Sequence, residues 1–451
     1  MSRQTRRALL GTLGAAAFTG CLSSLDGSDT DSGPGDEGTP DDTPTTGTPT
    51  STPTPTPTNT STGSTPDDST PTSTPTGTPS DTAGLPGEQL DGFESFDRWF
   101  VLSNQGKLSA ETKDPYAGSQ SAHVKSQEGD SFGGIFQAFS GPKDFSGKNL
   151  SLAVKLQEPE IAKISVALLA PDRGNMVRMM RTMPGPTDRW VRIDFGTTDV
   201  RRDPVLSEVQ EVRIVCRRRD GVNKPVEFSV DDLRAVDRPK KGRVMLTFDD
   251  THESHYRRAF PAMQEYGMAG VEGVIAEAVD NKDRLDVGMM REMRDGGWDM
   301  ASHPLTRGTL LPEFSEANQK QRIEENKEFL GRNGFRKGAR HFLTPQNLVG
   351  PNTYDLVREH HDTLFTFGGM PNGLTPTTTY NFGRINGSNP ENVKQYVDYA
   401  ERFGQMLVVN HHAIGPDAIP EEDFRSVLEY VDQANVEVVT ASDVVDGNLT
   451  A

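Results

Sequence analysis

The sequence has few cysteines and an excess of negative charge. Its 451 residues contain two cysteines, Cys21 and Cys216, which excludes a disulfide framework as the source of stability. Asp and Glu number 65 against 47 Lys and Arg, and the formal net charge is -18. Nucleic-acid binding requires a basic surface, so nucleic acid is not an expected partner.

The first residues have the features of an export signal. Arg6 and Arg7 precede an apolar stretch at residues 8–18, which is too short for a permanent membrane span, and Cys21 follows a glycine. The segment TRRALL resembles a twin-arginine signal and FTGC resembles a lipobox, which implies that Cys21 is lipidated and anchors an exported protein at the cell surface. The alternative is an ordinary secretory signal with a chance cysteine. We expect residues 1–21 to be a twin-arginine lipoprotein signal.

Residues 22–86 are rich in Thr, Ser and Pro, with repeats such as TPTPTPT. Such a segment cannot bury enough apolar surface to offset chain entropy, so we expect a disordered stalk. Lysine is absent from the first hundred residues. Together with the acidic composition, this pattern resembles extracellular proteins of halophilic archaea, and the charge then reports the habitat more than the partner.

Residues 87–238 contain short strand-like runs separated by Gly, Pro and Asp, among them SLAVKL and WVRIDF. Their alternation predicts a β-sandwich, and the pattern resembles jelly-roll, galactose-binding-like modules. A sugar-binding face would need exposed aromatic rings, whereas we expect Trp99, Trp190 and Tyr116 to be packing residues. Cys216, in the run VRIVC, is expected to be buried.

Residues 242–447 alternate apolar runs with amphipathic helical stretches, in about seven or eight units, which favours a parallel barrel or a doubly wound sheet. In both architectures the chemistry collects at the C-terminal ends of the strands. Polar residues follow several of the apolar runs: Asp249 and Asp250 after VMLTF, His303 after WDMAS, Pro345 and Asn347 after ARHFLT, and His411 and His412 after MLVVN.

The motifs TFDD, GGWDMASH, HFLTP and LVVNHHAI resemble those of the polysaccharide deacetylase family, the NodB-homology domain of carbohydrate esterase family four. The resemblance implies a distorted (β/α) barrel and a hydrolase of carbon–nitrogen (non-peptide) bonds that removes acetyl groups from a cell-surface or extracellular glycan. It implies Asp249 as the general base, and Asp250 and His303 as ligands of a divalent metal such as zinc. It also implies His412, in the pattern H-A-I, as the general acid, with His411 as the alternative.

This chemistry requires those residue types. A metal held by imidazoles and a carboxylate lowers the pKa of its bound water, a second carboxylate accepts the water's proton, and an imidazolium protonates the departing amine. Adjacent residues on a straight strand point to opposite faces. Asp249 and Asp250 can therefore share one site only if the strand ends or bends there.

The sequence departs from the family at the expected second metal histidine, whose position is occupied by Arg307, and Leu343 stands where the family often has an arginine. Arginine does not ordinarily bind metals, because it remains protonated. Three hypotheses follow. In the first, His252, His255 or another side chain from a nearby loop completes the metal site. In the second, Arg307 supplies positive charge without a metal. In the third, the barrel is catalytically degenerate and serves as a glycan-binding or envelope structural protein.

Overall fold

The computed structural model describes residues 82–447, apart from residues 105 and 417. The predicted signal with Cys21, and the predicted stalk up to residue 81, lie outside the described residues. Within the described part of the chain, no helix is long and apolar enough to cross a membrane.

The N-terminal part consists of strands that pair with one another only in antiparallel fashion. The strands are β1 (Glu88–Asp91), β2 (Phe100–Val101), β3 (Lys107–Glu111), β4 (Ser121–Lys125), β5 (Phe132–Lys143), β6 (Lys148–Glu158), β7 (Ala162–Leu169), β8 (Met176–Met183), β9 (Trp190–Phe195), β10 (Thr197–Arg201), β11 (Val209–Arg218) and β12 (Glu227–Asp237). These strands lie in two sheets. In the first sheet they have the order β9-β6-β12-β4-β3, with β1 beside β12, and in the second sheet they have the order β10-β8-β7-β11-β5-β2.

Apolar side chains from both sheets share one core, which includes Leu152 and Val154 of β6 and Ile164 and Val166 of β7. Cys216 of β11 is buried, as expected from the sequence. The galactose-binding-like jelly roll and the domain boundaries at residues 87–238 and 242–447 stay predictions.

The C-terminal part is built on a closed barrel of seven parallel strands, because β13 pairs with both β14 and β20. This closure is compatible with the predicted (β/α) barrel. The strands from here on are β13 (Gly242–Phe248), β14 (Val271–Val274), β15 (Asp299–Ser302), β16 (His341–Leu343), β17 (Thr363–Phe367), β18 (Asn372–Gly373), β19 (Phe382–Asn386), β20 (Gln405–His411) and β21 (Val436–Val438). β18 lies outside the barrel, and β21 pairs with the first half of β13.

Helices connect the barrel strands and cover them. The α-helices in the described residues are α1 (Phe260–Gln264), α2 (Val287–Asp295), α3 (Glu316–Arg332), α4 (Pro351–His360), α5 (Pro390–Phe403), α6 (Glu421–Gln433) and α7 (Ala441–Val445). A π-helix, His255–Ala259, precedes α1, and short 3-10 turns lie at Leu102–Asn104, Leu206–Glu208, Ala276–Ala278, Leu311–Glu313, Gly338–Arg340 and Pro345–Asn347. Side-chain N-caps fix several helix starts. In one of them, the Asp286 carboxylate accepts from Met289 N at 2.7 Å and thereby satisfies a free amide of α2.

The two parts of the chain are joined by β18, which pairs with β9 on one side and with β20 on the other. The buried guanidinium of Arg181 donates to Asn372 Oδ1 of β18 at 2.6 Å. Beside it, the Thr197 amide donates to Gln405 Oε1 at 2.7 Å, and Gln405 Nε2 donates to the Thr197 carbonyl at 3.2 Å. A continuous hydrogen-bonded sheet therefore runs from the N-terminal part into the barrel.

Candidate active site

The chain bends where β13 ends. Asp250 and Thr251 have positive φ angles of 77° and 60°, a region that Asp enters more readily than most residues. The Thr251 hydroxyl accepts from the Ile275 amide at 2.7 Å, which holds the bend against the end of β14. The bend meets the condition for the adjacent carboxylates of Asp249 and Asp250 to serve one site.

Asp250 is the common neighbour of three imidazoles. Its carboxylate oxygens lie 3.6 Å from His303 Nε2, 4.0 Å from His252 Nε2 and 4.0 Å from His412 Nε2. His303 Nδ1 donates to the Leu343 carbonyl at 2.8 Å, because a carbonyl oxygen can only accept. This bond turns His303 Nε2 towards Asp250.

The charges of this cluster shift its pKa values strongly. Burial would raise the pKa of Asp250, but the hydrogen bond and charge of His303, together with the charges that His412 and His252 carry when protonated, hold it well below its usual range. Burial, His255 and Arg284 lower the pKa of His252 to about 3, so His252 is neutral at neutral pH. His303 has a raised pKa, because Asp249 and Asp250 outweigh the opposing effect of its burial.

Asp249 is buried and paired with an arginine that the sequence motifs did not indicate. Arg384 of β19 donates from Nη1 to Asp249 Oδ1 at 2.8 Å and from Nη2 to Asn347 Oδ1 at 2.7 Å. Burial would raise the pKa of Asp249, but Arg384, His303 and His412 lower it, which keeps the carboxylate ionised. The sequence feature that could have indicated Arg384 is a charged residue inside the apolar run YNFGRI.

His255 is engaged on both ring nitrogens. Its Nε2 donates to the His412 carbonyl at 2.9 Å, and its Nδ1 lies 2.9 Å from Glu272 Oε2. Burial lowers the pKa of His255 to about 4, while burial together with Asp249 and Asp250 raises that of Glu272 well above its usual value. Both shifts favour the neutral form of each group. This arrangement leaves His255 no nitrogen for a metal, contrary to one of the alternatives for the third ligand.

His411 and Arg307 lie outside the cluster. The imidazole of His411 is buried against Phe248, with ring centroids 5.3 Å apart, and faces away from the site, as regular strand alternation requires. Arg307 is exposed in the loop after β15, and no described contact joins it to Asp249 or Asp250. The positive charge beside Asp249 comes from Arg384 instead.

Comparison with known proteins bears on the barrel. Residues 237–363 match the family model for polysaccharide deacetylase. The match contains Asp249, Asp250 and His303, and it ends before Arg384 and His412. It supports the resemblance that the motifs indicate for this part of the chain.

A curated relative, the putative polysaccharide deacetylase YxkH of Bacillus subtilis (strain 168), is 27% identical over 92 residues, which are 20% of this chain and 33% of the relative. The match thus spans a third of that relative's length. Among solved structures, the Xyl-CE4 domain of a multidomain xylanase from the hindgut metagenome of Trinervitermes trinervoides has 18% identity and a TM-score of 0.35, over 46% of this chain and 91% of that one. A variant of the peptidoglycan deacetylase PdaC from Bacillus subtilis has 11% identity and a TM-score of 0.32, over 46% of this chain and 92% of that one.

The donor chemistry of the cluster fits the divalent metal that the family implies. No set of three or more His, Cys, Asp and Glu side chains in residues 82–447, outside the two gaps, already stands in metal-binding geometry. Nevertheless, Asp250 is ionised, and His303 has its second nitrogen bonded to a carbonyl, as metal-bound imidazoles commonly do. His252 and His412, equally distant from Asp250, are the imidazoles that could complete the set.

Proposed function

We propose that the barrel hydrolyses an acetamido group on a cell-surface or extracellular glycan. The observation that carries the proposal is the convergence of His303, His252 and His412 on Asp250, directly beside the paired carboxylate of Asp249. The family match over residues 237–363 supports it.

In this mechanism Asp249 is the general base. Arg384 occupies its Oδ1, which leaves Oδ2 to accept a proton from the attacking water. The water oxygen bonds to the acyl carbon, the carbon–nitrogen bond breaks, and the amine takes a proton from His412, whose side chain is 26% exposed and so accessible to a substrate. A divalent metal held by Asp250 and His303 would lower the pKa of that water and polarise the acyl oxygen.

We further propose His252 as the third metal ligand, in place of the histidine that Arg307 replaces. His252 is neutral at neutral pH, the form in which imidazole binds metals, and its Nε2 lies 4.0 Å from the Asp250 carboxylate. Arg284 Nη1 lies 3.4 Å from the same nitrogen, so metal binding would require this guanidinium to move aside. His412 remains available as the acid, and His255 is engaged by Glu272.

Metal binding tests this assignment without relying on turnover. The wild-type chain, His252→Ala, Asp250→Asn and the control His360→Ala would be loaded with Zn²⁺, dialysed and analysed for metal, and Co²⁺ absorption would report the ligand set. We expect one metal per chain in the wild type and in His360→Ala, and a loss of about tenfold or more in affinity in the other two variants. Wild-type affinity in His252→Ala would exclude His252 as a ligand.

Acetate release from a panel of N-acetylated oligosaccharides tests the reaction. Asp249→Asn should lower kcat by about 10²-fold to 10⁴-fold, because the base is lost while the side-chain volume is kept. Arg307 stands where the second metal histidine is expected, and in the described part of the chain it is exposed and contacts neither Asp249 nor Asp250. This favours a second candidate, a barrel that binds glycans without hydrolysis. Glycan binding with neither metal nor acetate release would support that candidate and overturn the hydrolase.

A further inference from the structure

A cavity lies between the N-terminal sheets and the barrel. Its volume is about 420 Å³, and its walls include Tyr116 and Trp190 on one side and Tyr354, Arg358 and Tyr380 on the other. The volume falls within the range of roughly 300–1,000 Å³ that small-molecule sites occupy. It is therefore large enough to be a ligand site.

The cavity is separate from the candidate active site. Tyr354 and Arg358 belong to α4, which leads into the start of β17, and Tyr380 precedes β19. The Tyr380 hydroxyl donates to the His361 carbonyl at 3.0 Å, which fixes this wall at the N-terminal end of β17. None of the residues that line the cavity belongs to the cluster around Asp249 and Asp250, so the two sites are separate.

Aromatic rings with accessible surface form the walls. Tyr116 and Trp190 meet edge to face with centroids 5.6 Å apart, and both are half-buried, as is Tyr380. The prediction of core or hydrogen-bonded packing residues holds for Trp99, which is 3% exposed, and for Trp190, whose Nε1 donates to the Asp114 carbonyl at 3.0 Å. Tyr116 is half-buried. Lys155 lies over the Trp190 ring, 4.9 Å from its centroid, and Arg192 over the Tyr116 ring, 5.6 Å from its centroid. The ring surface that remains accessible is apolar and can contact a pyranose.

Arg358 supplies an uncompensated positive charge to the cavity. Its guanidinium carbon lies 5.4 Å from the ring centroid of Tyr354 and 5.6 Å from that of Tyr380, and no carboxylate in the described residues pairs with it. Arg192, the other cation that lines the cavity, is paired with Asp232 at 2.8 Å. A planar guanidinium held on aromatic rings is preorganised to bind a carboxylate through two hydrogen bonds.

Two hydroxyl groups on the walls add neutral hydrogen-bonding capacity. The Tyr116 and Tyr354 hydroxyls have no hydrogen-bond partner among the described residues. Burial raises the pKa of Tyr354 to about 12, so its hydroxyl remains neutral and can both donate and accept. Sugar hydroxyls have the complementary chemistry.

We propose that this cavity binds a carboxylate-bearing pyranose, a uronic acid unit of a glycan. The sugar ring lies against the half-buried aromatic side chains, its hydroxyls bond to Tyr116 and Tyr354, and its carboxylate pairs with Arg358. Binding here requires no reaction in the barrel, so the proposal is independent of the proposed hydrolysis.

Calorimetry and tryptophan fluorescence, to which Trp190 contributes, test the proposal on the full chain at fixed ionic strength. The ligands are trigalacturonate, the neutral galactotriose and sodium acetate, and the variants are Arg358→Ala, Arg358→Lys and Arg336→Ala. Arg336 is the matched control, because it is exposed and no described residue pairs with it. We expect trigalacturonate to bind more tightly than both other ligands. Arg358→Ala should weaken it by roughly tenfold or more, with a smaller loss in Arg358→Lys and none in Arg336→Ala.

Several results would overturn the proposal. Galactotriose binding as tightly as trigalacturonate would remove the role of the carboxylate, and acetate binding as tightly would remove that of the sugar. Absence of trigalacturonate binding, or equal binding by wild type and Arg358→Ala, would exclude the site. Acetate release from N-acetylated oligosaccharides, measured in parallel with Arg358→Ala, should equal the wild-type rate and reports separately on the barrel.

Discussion

Replacing Arg384 by methionine should destabilise the protein and expose the dependence of the base on its partner. The side chains of Arg384 and Asp249 are 0% and 3% exposed, and their charged atoms lie 2.8 Å apart. Removing one member of such a buried pair leaves an uncompensated charge, which typically costs about 3–5 kcal/mol. Arg257, paired with Glu253 at 2.9 Å and 59% exposed, is the control, and its replacement by methionine should cost no more than about 0.5 kcal/mol.

Urea denaturation of Arg384→Met, Asp249→Asn and the double variant distinguishes the electrostatic coupling of this pair from the effect of lost packing. We expect the free energy of unfolding to fall less in the double variant than the sum of its falls in the two single variants, because the double variant leaves no charge without a partner. The loss in Arg384→Met should shrink at acidic pH, where protonation of Asp249 removes the buried charge. A loss below about 1 kcal/mol, or additive losses, would refute the argument that the pair is electrostatically coupled.

Further predictions concern stability. Burial raises the pKa of Asp231 to about 6, so the folded chain holds this proton more tightly than the unfolded chain. The protonation of Asp231 thus contributes at most about 3 kcal/mol to the free energy of unfolding. This contribution is complete below about pH 4 and is lost as the pH rises through 6. In urea titrations the difference between wild type and Asp231→Ala should fall over this range, and a constant difference would contradict it. Gly387→Ala places a Cβ 2.4 Å from the His411 ring and should cost about 1–3 kcal/mol in the same assay. Gly331→Ala, in α3 with open space around it, should stabilise by about 0.5–1 kcal/mol, and equal effects of the two changes would argue against the clash.

The strand-end argument anticipated the centre of the candidate site. Asp249, Asp250, His303 and His412 follow apolar runs in the sequence, and parallel pairing brings them together at one end of the barrel. The expectation that the strand must end or bend at Asp250 is confirmed by its positive φ. These features could be predicted because they depend only on strand direction and on the position where each strand ends.

Arg384 and Glu272 could not be found in this way, because each lies inside an apolar strand with no motif around it. Both are fully buried, and their partners lie far away in the sequence, Asp249 for Arg384 and His255 for Glu272. A charged residue inside a buried strand requires a partner, but the sequence does not say which. The distinction between His252 and His255 depends on those same distant pairings.

The short strand β18 has a consequence for expressing the barrel alone. It pairs with the N-terminal sheet and with barrel strand β20 at once, so a barrel without the N-terminal part would leave β18 without β9 and Gln405 without Thr197. Exposed strand edges favour aggregation. We therefore expect the barrel to be less stable and more prone to aggregation when it is expressed without the N-terminal part.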